Sequence, residues 1–254
     1  MFKADFDKTS TGAVSKSSML AKDPLGYFVL SMLAGAYIGI GVLLAFTIGG
    51  QLQGAPCTKV VMGLSFGVAL SLVVMAGAEL FTGNNMVMAM GILGKKIKIG
   101  DAVKLWCVCW LGNLAGAVIL AVIYHLTGLG TGDVATFMAA GASAKMSAGI
   151  VPLIMRGILC NFLVCLAVWS AGRATSDFGK LMMIFWCLFV FITTGFEHSI
   201  ANMTLMTVAL LNPAEQAVSA GGYFYNLLFV TLGNMIGGIV FVALPYYIAQ
   251  RKDD

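Results

Sequence analysis

The chain has 254 residues, 59% of them hydrophobic and only 10% charged, with a formal net charge of +4 and a mean hydropathy of +0.93. A soluble domain carries roughly 25% charged residues, so this composition excludes a water-soluble globule and points to a bilayer. The lysines that make up the small positive charge flank apolar runs, which argues against nucleic acid as a partner.

Residues 1–24 (MFKADFDKTSTGAVSKSSMLAKDP) are polar and show neither the apolar core nor the cleavage site of a signal peptide. They read as a cytoplasmic, amphipathic N-terminal helix. Apolar segments follow at about 25–50, 59–93, 103–126, 150–171, 180–211 and 223–249, and residues 250–254 form a polar tail. None of the segments alternates with the period of two that barrel strands need, so the spans are helices and the fold class is an all-α membrane protein. A helix of about 20 residues crosses the hydrocarbon core. The second segment, about 35 residues, and the fifth, about 32, are too long for one straight helix. Each has a polar, Gly-containing interruption, Glu79–Asn85 in one and Thr193–Ser199 in the other. Non-helical backbone at membrane depth survives only where protein buries it or water reaches it, so both breaks are expected to face inward, toward a pathway.

Lysine and arginine set the expected orientation. One side collects Lys3, Lys8, Lys16, Lys22, Lys95, Lys96, Lys98, Lys104, Arg173, Lys180, Arg251 and Lys252, whereas the other has Lys59 and Lys145, with Arg156 inside the fourth span. The positive-inside rule puts both ends of the chain in the cytoplasm.

The two halves of the transmembrane domain (25–249), about 25–126 and 150–249, resemble each other. WLGNLAGAVI (110–119) parallels TLGNMIGGIV (231–240), and GAELFTGNNM (77–86) parallels GFEHSIANM (195–203), both opening Gly-x-Glu and closing Asn-Met. Three spans per half require the second half to be inverted, and inverted repeats with paired broken helices put a substrate path at the bilayer midplane. The pairs Gly35/Gly39, Gly63/Gly67, Gly112/Gly116 and Gly233/Gly237 allow close helix approach, either within a protomer or between protomers.

Ionisable side chains inside a span mark pathways by default, and Glu197 and His198 lie in one of the most apolar stretches of the chain. A neutral imidazole at His198 donates one hydrogen bond to a passing anion. Thr82, in the first break, is expected to face it by repeat symmetry. A carboxylate in the path would repel anions, so Glu79 and Glu197 are expected to turn away and to accept backbone N–H bonds that hold the breaks. Asn161 and Asn202 are local caps or pathway donors, and Lys145 is a mouth residue or a solvated lysine. Phe66, Leu70, Leu80, Phe81, Val164 and Phe191 read as core by spacing alone. Adjacent residues point about 100° apart on a helix, so Glu197 and His198 make a poor acid–base pair, and no nucleophile or metal set accompanies them. An enzyme is not expected, nor any cofactor or metal. The cysteines, Cys107-Val-Cys109 included, are expected to be packing residues.

At these residues the chain resembles the formate/nitrite transporter family: AGAYIGIG (34–41), AELFTGNNM (78–86), GILCNFLVCLAVW (157–169), GFEHSIANM (195–203) and LGNMIGG (232–238) are similar to its signatures. The resemblance covers residues 20–250. It implies an aquaporin-like six-helix protomer with the second and fifth helices broken, assembled as a homopentamer in the cell's inner membrane with one pore per protomer for small monovalent anions. It further implies that His198 is the central histidine, Thr82 its partner and Lys145 the vestibule lysine. Phe66, Leu70, Leu80, Phe81, Val164 and Phe191 become the hydrophobic constrictions, and Asn161, Glu197 and Asn202 the buried polar set. The Phe-Thr-Gly-Asn-Asn break and the first-span AGAYIGIG and LLAFTIGG resemble the nitrite and hydrosulfide branch more than formate channels. The rival reading is an aquaporin-like channel for small neutral solutes, although Asn212-Pro213-Ala214 occurs once, near a span end.

Overall fold

The structure is a computed structural model that describes residues 2–250; Arg251 and Lys252 of the expected inner set, and most of the expected tail, lie outside the described residues. Those residues form helices and no strands. In order they are α1 (Lys3–Lys22), α2 (Pro24–Gln51), α3 (Thr58–Ser65), α4 (Gly67–Leu72), α5 (Phe81–Leu93), α6 (Ile99–Leu126), α7 (Gly132–Met146), α8 (Ile150–Arg173), α9 (Asp177–Thr194), α10 (Ser199–Leu211), α11 (Ala220–Gly238) and α12 (Leu244–Gln250). A π-turn over Val73–Gly77 extends α4, and another over Ile239–Ala243 joins α11 to α12. Among the described residues, six helical segments are long and apolar enough to cross a membrane.

Both long spans break, and more sharply than their sequences suggest. The first interruption is limited to residues 78–80 and the second to 195–198, because Phe81–Asn85 are already helical in α5 and Thr193 still belongs to α9. The repeated Gly-x-Glu explains where each break falls. Gly77 and Gly195 end their helices at φ +81° and +82°, a left-handed backbone that costs other residues a Cβ clash. Four residues after each glycine, and two after each glutamate, the chain re-enters a helix. The resulting half-helices, α5 and α10, have 13 residues each, and Phe81–Gly91 and Ser199–Ala209 are buried without interruption. A helix buried on every side has no solvent-facing polar stripe, so Thr82, Asn84, Asn85, Asn202, Thr204 and Thr207 are enclosed in protein.

The repeated glycines serve packing within one chain. A Cβ at Gly35 would fall on the Asn113 carbonyl and one at Gly116 on the Met32 carbonyl, so α2 and α6 meet backbone to backbone. A Cβ at Gly233 or Gly237 would likewise run into the Ile154 or Ile158 carbonyl, where α11 meets α8. Gly63 faces Thr193 and Phe189 of α9.

The two halves also touch at equivalent positions. Trp110 and Thr231 each stand three residues before the repeated asparagine, and the Trp110 indole N–H donates to Thr231 Oγ1 at 3.2 Å. Equivalent residues in contact lie on the pseudo-two-fold axis. Nothing in the hydropathy pattern anticipates α7, a 15-residue helix in the connection between the halves. It is the counterpart of α1, as the site shows.

Candidate functional site

Each break is held by an asparagine from the last span of its own half. Asn113 of α6 accepts from the Phe81 N–H at 2.9 Å and donates to the Glu79 carbonyl at 2.9 Å and the Ser31 carbonyl at 2.7 Å. Asn234 of α11 repeats the set, accepting from the Ser199 N–H at 2.9 Å and donating to the Glu197 carbonyl at 2.9 Å and the Gly157 carbonyl at 2.8 Å. The glutamate N–H groups complete the frame, Glu79 donating to Leu30 and Glu197 to Arg156. These bonds satisfy backbone groups that a broken helix leaves orphaned. The asparagines, rather than the glutamate carboxylates, hold the breaks; this corrects the expectation that Glu79 and Glu197 accept backbone N–H bonds.

The carboxylates instead each meet a lysine and an asparagine. Glu79 takes Lys16 Nζ at 2.5 Å, Asn84 Nδ2 at 2.8 Å and the Tyr27 hydroxyl at 3.0 Å. Glu197 takes Lys145 Nζ at 2.8 Å and Asn202 Nδ2 at 2.7 Å, and Asn202 also donates to Asn226 Oδ1 at 2.9 Å. In both halves the asparagine stands five residues after its glutamate, so Asn84, and not the Asn85 of the paired Asn-Met ending, is the counterpart of Asn202. Lys16 comes from α1 and Lys145 from α7, which makes those helices equivalent. Lys145 is therefore an ion-pair partner, with 19% of its side chain exposed, rather than a freely solvated lysine.

Between the breaks lies a cavity of about 10 Å³ lined by Ile38, Phe66, Leu70, Leu80, Val164, Leu188, Phe191 and His198. That is the lower limit for a single water. Phe66 and Phe191 meet edge to face with centroids 5.4 Å apart, and the Phe191 ring stacks on His198 at 6.0 Å. His198 is also the N-cap of α10: its Nδ1 accepts from the Ala201 N–H at 3.1 Å. The ring proton of the neutral imidazole is then on Nε2, which donates to Thr82 Oγ1 at 3.0 Å. His198 and Thr82 do face each other, though they do not occupy equivalent places. Counted from the glutamates, His198 matches Leu80, and both line the cavity on the pseudo-two-fold axis.

The other predicted residues divide. Asn161 is fully enclosed and donates to the Thr82 carbonyl at 3.2 Å and the Asn234 carbonyl at 2.6 Å, so it fastens the two halves together. Phe81 lies apart from the cavity. It helps line an apolar groove between α6 and α11, with Trp106, Trp110 and Phe224. A chamber of about 410 Å³ lined by Lys16, Leu30, Leu70, Glu79, Leu80 and Asn84 adjoins the cavity on the α1 side, sharing Leu70 and Leu80 with it. Cys107 is exposed and Cys109 buried, with its thiol donating to the Glu79 carbonyl at 3.2 Å. Among the described residues no cluster of His, Cys, Asp or Glu is arranged to hold a metal.

Sequence reasoning missed Asn84, Asn113, Asn226, Asn234, Lys16, Tyr27, Ile38 and Leu188. The repeated Leu-Gly-Asn marked Asn113 and Asn234, and the five-residue step from each glutamate marked Asn84. Nothing marked Lys16, which sits 63 residues before its partner.

The formate/nitrite transporter family model matches residues 3–248. The chain is 41% identical to the nitrite transporter NirC of Salmonella typhimurium, across 100% of this chain and 94% of that one. The solved structure of an FNT family ion channel superposes with a TM-score of 0.94 at 39% identity, covering 98% of this chain and 99% of the other. A pentameric formate channel with formate bound superposes with a TM-score of 0.80 at 31% identity, covering 91% and 98%.

Proposed function

Because the chain belongs to the formate/nitrite transporter family, we propose that it is a multi-pass membrane channel for small monovalent anions, with nitrite the first candidate and hydrosulfide and formate next. The likeness to a nitrite transporter supports that order. The likeness to a pentameric formate channel supports a homopentamer, with one pathway in each protomer. Lys8, Lys16, Arg173 and Lys180 line neighbouring chambers on the α1 side, which supports a cytoplasmic location for that face.

The observation that carries the reading is the Thr82–His198 hydrogen bond at 3.0 Å beside an otherwise apolar cavity. With Nε2–H donating to Thr82 Oγ1, the threonine hydroxyl proton is left for a third group, and an anion beside the pair is such an acceptor. An ion moved from water into an apolar slot loses tens of kcal/mol of solvation in the limit. A cavity of about 10 Å³ cannot admit the hydration shell along with the ion. The solute therefore crosses either hydrogen-bonded to Thr82 and His198 or carrying a proton. The Lys16–Glu79 and Lys145–Glu197 pairs keep both carboxylates occupied, so neither presents an uncompensated negative charge to the solute.

Purified protein in liposomes tests the reading by anion current and swelling with nitrite, hydrosulfide, formate, chloride and glycerol. Nitrite flux above chloride with no glycerol flux is the expected result. Glycerol flux without anion current would replace it with the neutral-solute reading. Internal pH recorded in the same liposomes separates bare-anion from proton-accompanied transport.

A further inference from the structure

We propose that Asn234 is the positioning residue for the His198 imidazole, an inference that rests on the channel reading above. Asn234 is fully buried on α11. It bonds the carbonyl of Glu197, immediately before His198, and the N–H of Ser199, immediately after it. A single side chain thus fixes the peptide on each side of the histidine and ties both to the Gly157 carbonyl of α8. His198 is held extended, at φ −112° and ψ +114°. From that backbone its ring can reach Ala201 N–H with one nitrogen and Thr82 with the other. Asn234 bonds the backbone on either side of the imidazole, so its action on the solute goes through the histidine.

The first half supplies the control. Asn113 makes the same three bonds around residues 79–81, and the residue it straddles is Leu80. Loss of either clamp orphans the same kinds of buried backbone group, and the damage to folding is comparable. Only at Asn234 does the freed segment carry the imidazole.

The experiment compares Asn234→Ser, Asn113→Ser and His198→Asn in liposomes, reading the nitrite-to-chloride flux ratio as a function of pH. A serine is neutral and too short to span both peptides. Asn234→Ser is expected to change the ratio and its pH profile in the direction of His198→Asn, by about tenfold if one hydrogen bond's worth of ring positioning is lost. Asn113→Ser is expected to lower total flux and keep the wild-type profile. Equal profiles for the two serine variants, or a wild-type profile for Asn234→Ser beside an altered one for His198→Asn, would overturn the inference. A wild-type profile for His198→Asn would instead sink the channel role of the histidine itself. Should Asn234→Ser fail to assemble, Asn234→Gln carries the same test. It keeps the amide donors and acceptor but sets them one methylene further out, so the buried backbone groups keep a partner while the peptides around His198 shift. A changed pH profile there upholds the proposal, and an unchanged one rejects it.

Discussion

At the scale of single residues, the two lysine–glutamate pairs are the most sensitive points of the molecule. Glu197 has 4% of its side chain exposed and Lys145 19%, so removing one partner leaves the other charged, enclosed and uncompensated. Breaking such a pair costs about 3–5 kcal/mol, whereas replacing both partners can be close to neutral. We expect Glu197→Gln and Lys145→Met each to lower the thermal midpoint of the detergent-solubilised protein, and the double variant to recover part of the loss. Full additivity in that cycle would show that the two residues do not act as a pair. The partners that complete the two sites differ. Asn84 hands its second hydrogen to the Tyr27 hydroxyl on α2, while Asn202 hands its second hydrogen to Asn226 on α11. The same need is met from a different helix in each half, so a strict sequence repeat could not have located both.

Among the elements, the contact surfaces of α2 with α6 and of α8 with α11 decide whether the fold forms. Gly116 has no room for a Cβ because the Met32 carbonyl occupies the place, whereas Gly100, at the start of α6, has open space around it. Gly116→Ala should force the two helices apart and abolish recovery of folded protein. Gly100→Ala should be tolerated, or stabilise the helix by up to about 1 kcal/mol through propensity alone; size-exclusion profiles in mild detergent would distinguish the two. Much at this scale was legible beforehand. Span number, the two broken helices and the inverted repeat follow from hydropathy, length and the doubled Gly-x-Glu and Leu-Gly-Asn motifs. Three things were not. The breaks are shorter than their polar stretches, because Asn84 is accommodated in helix by its bonds to Glu79 and Tyr27, and the helix carries on through the buried Asn85. The 15-residue α7 has no apolar run long enough to stand out from a loop. Phe81 shares its local pattern with Leu80, and only the turn of α5 sends its ring to the outer groove.

For the molecule as a whole, the governing feature is that the two halves are equal in frame and unequal in what they place on the axis. Both breaks are clamped, counter-charged and packed in the same way, yet the first sets Leu80 against the central cavity and the second sets His198 there. Pseudo-symmetry builds the frame around the cavity, and one departure from it supplies the polar group there. The size of that cavity also bears on solvent. With space for no more than one water and walls that are apolar but for His198, the cavity offers a file of waters almost no hydrogen-bond partners. Stopped-flow light scattering on liposomes that conduct nitrite should therefore give an osmotic water permeability no higher than that of protein-free vesicles. On the channel reading proposed above, a bilayer carrying many copies of this chain would pass a small dissolved anion and still hold back its water.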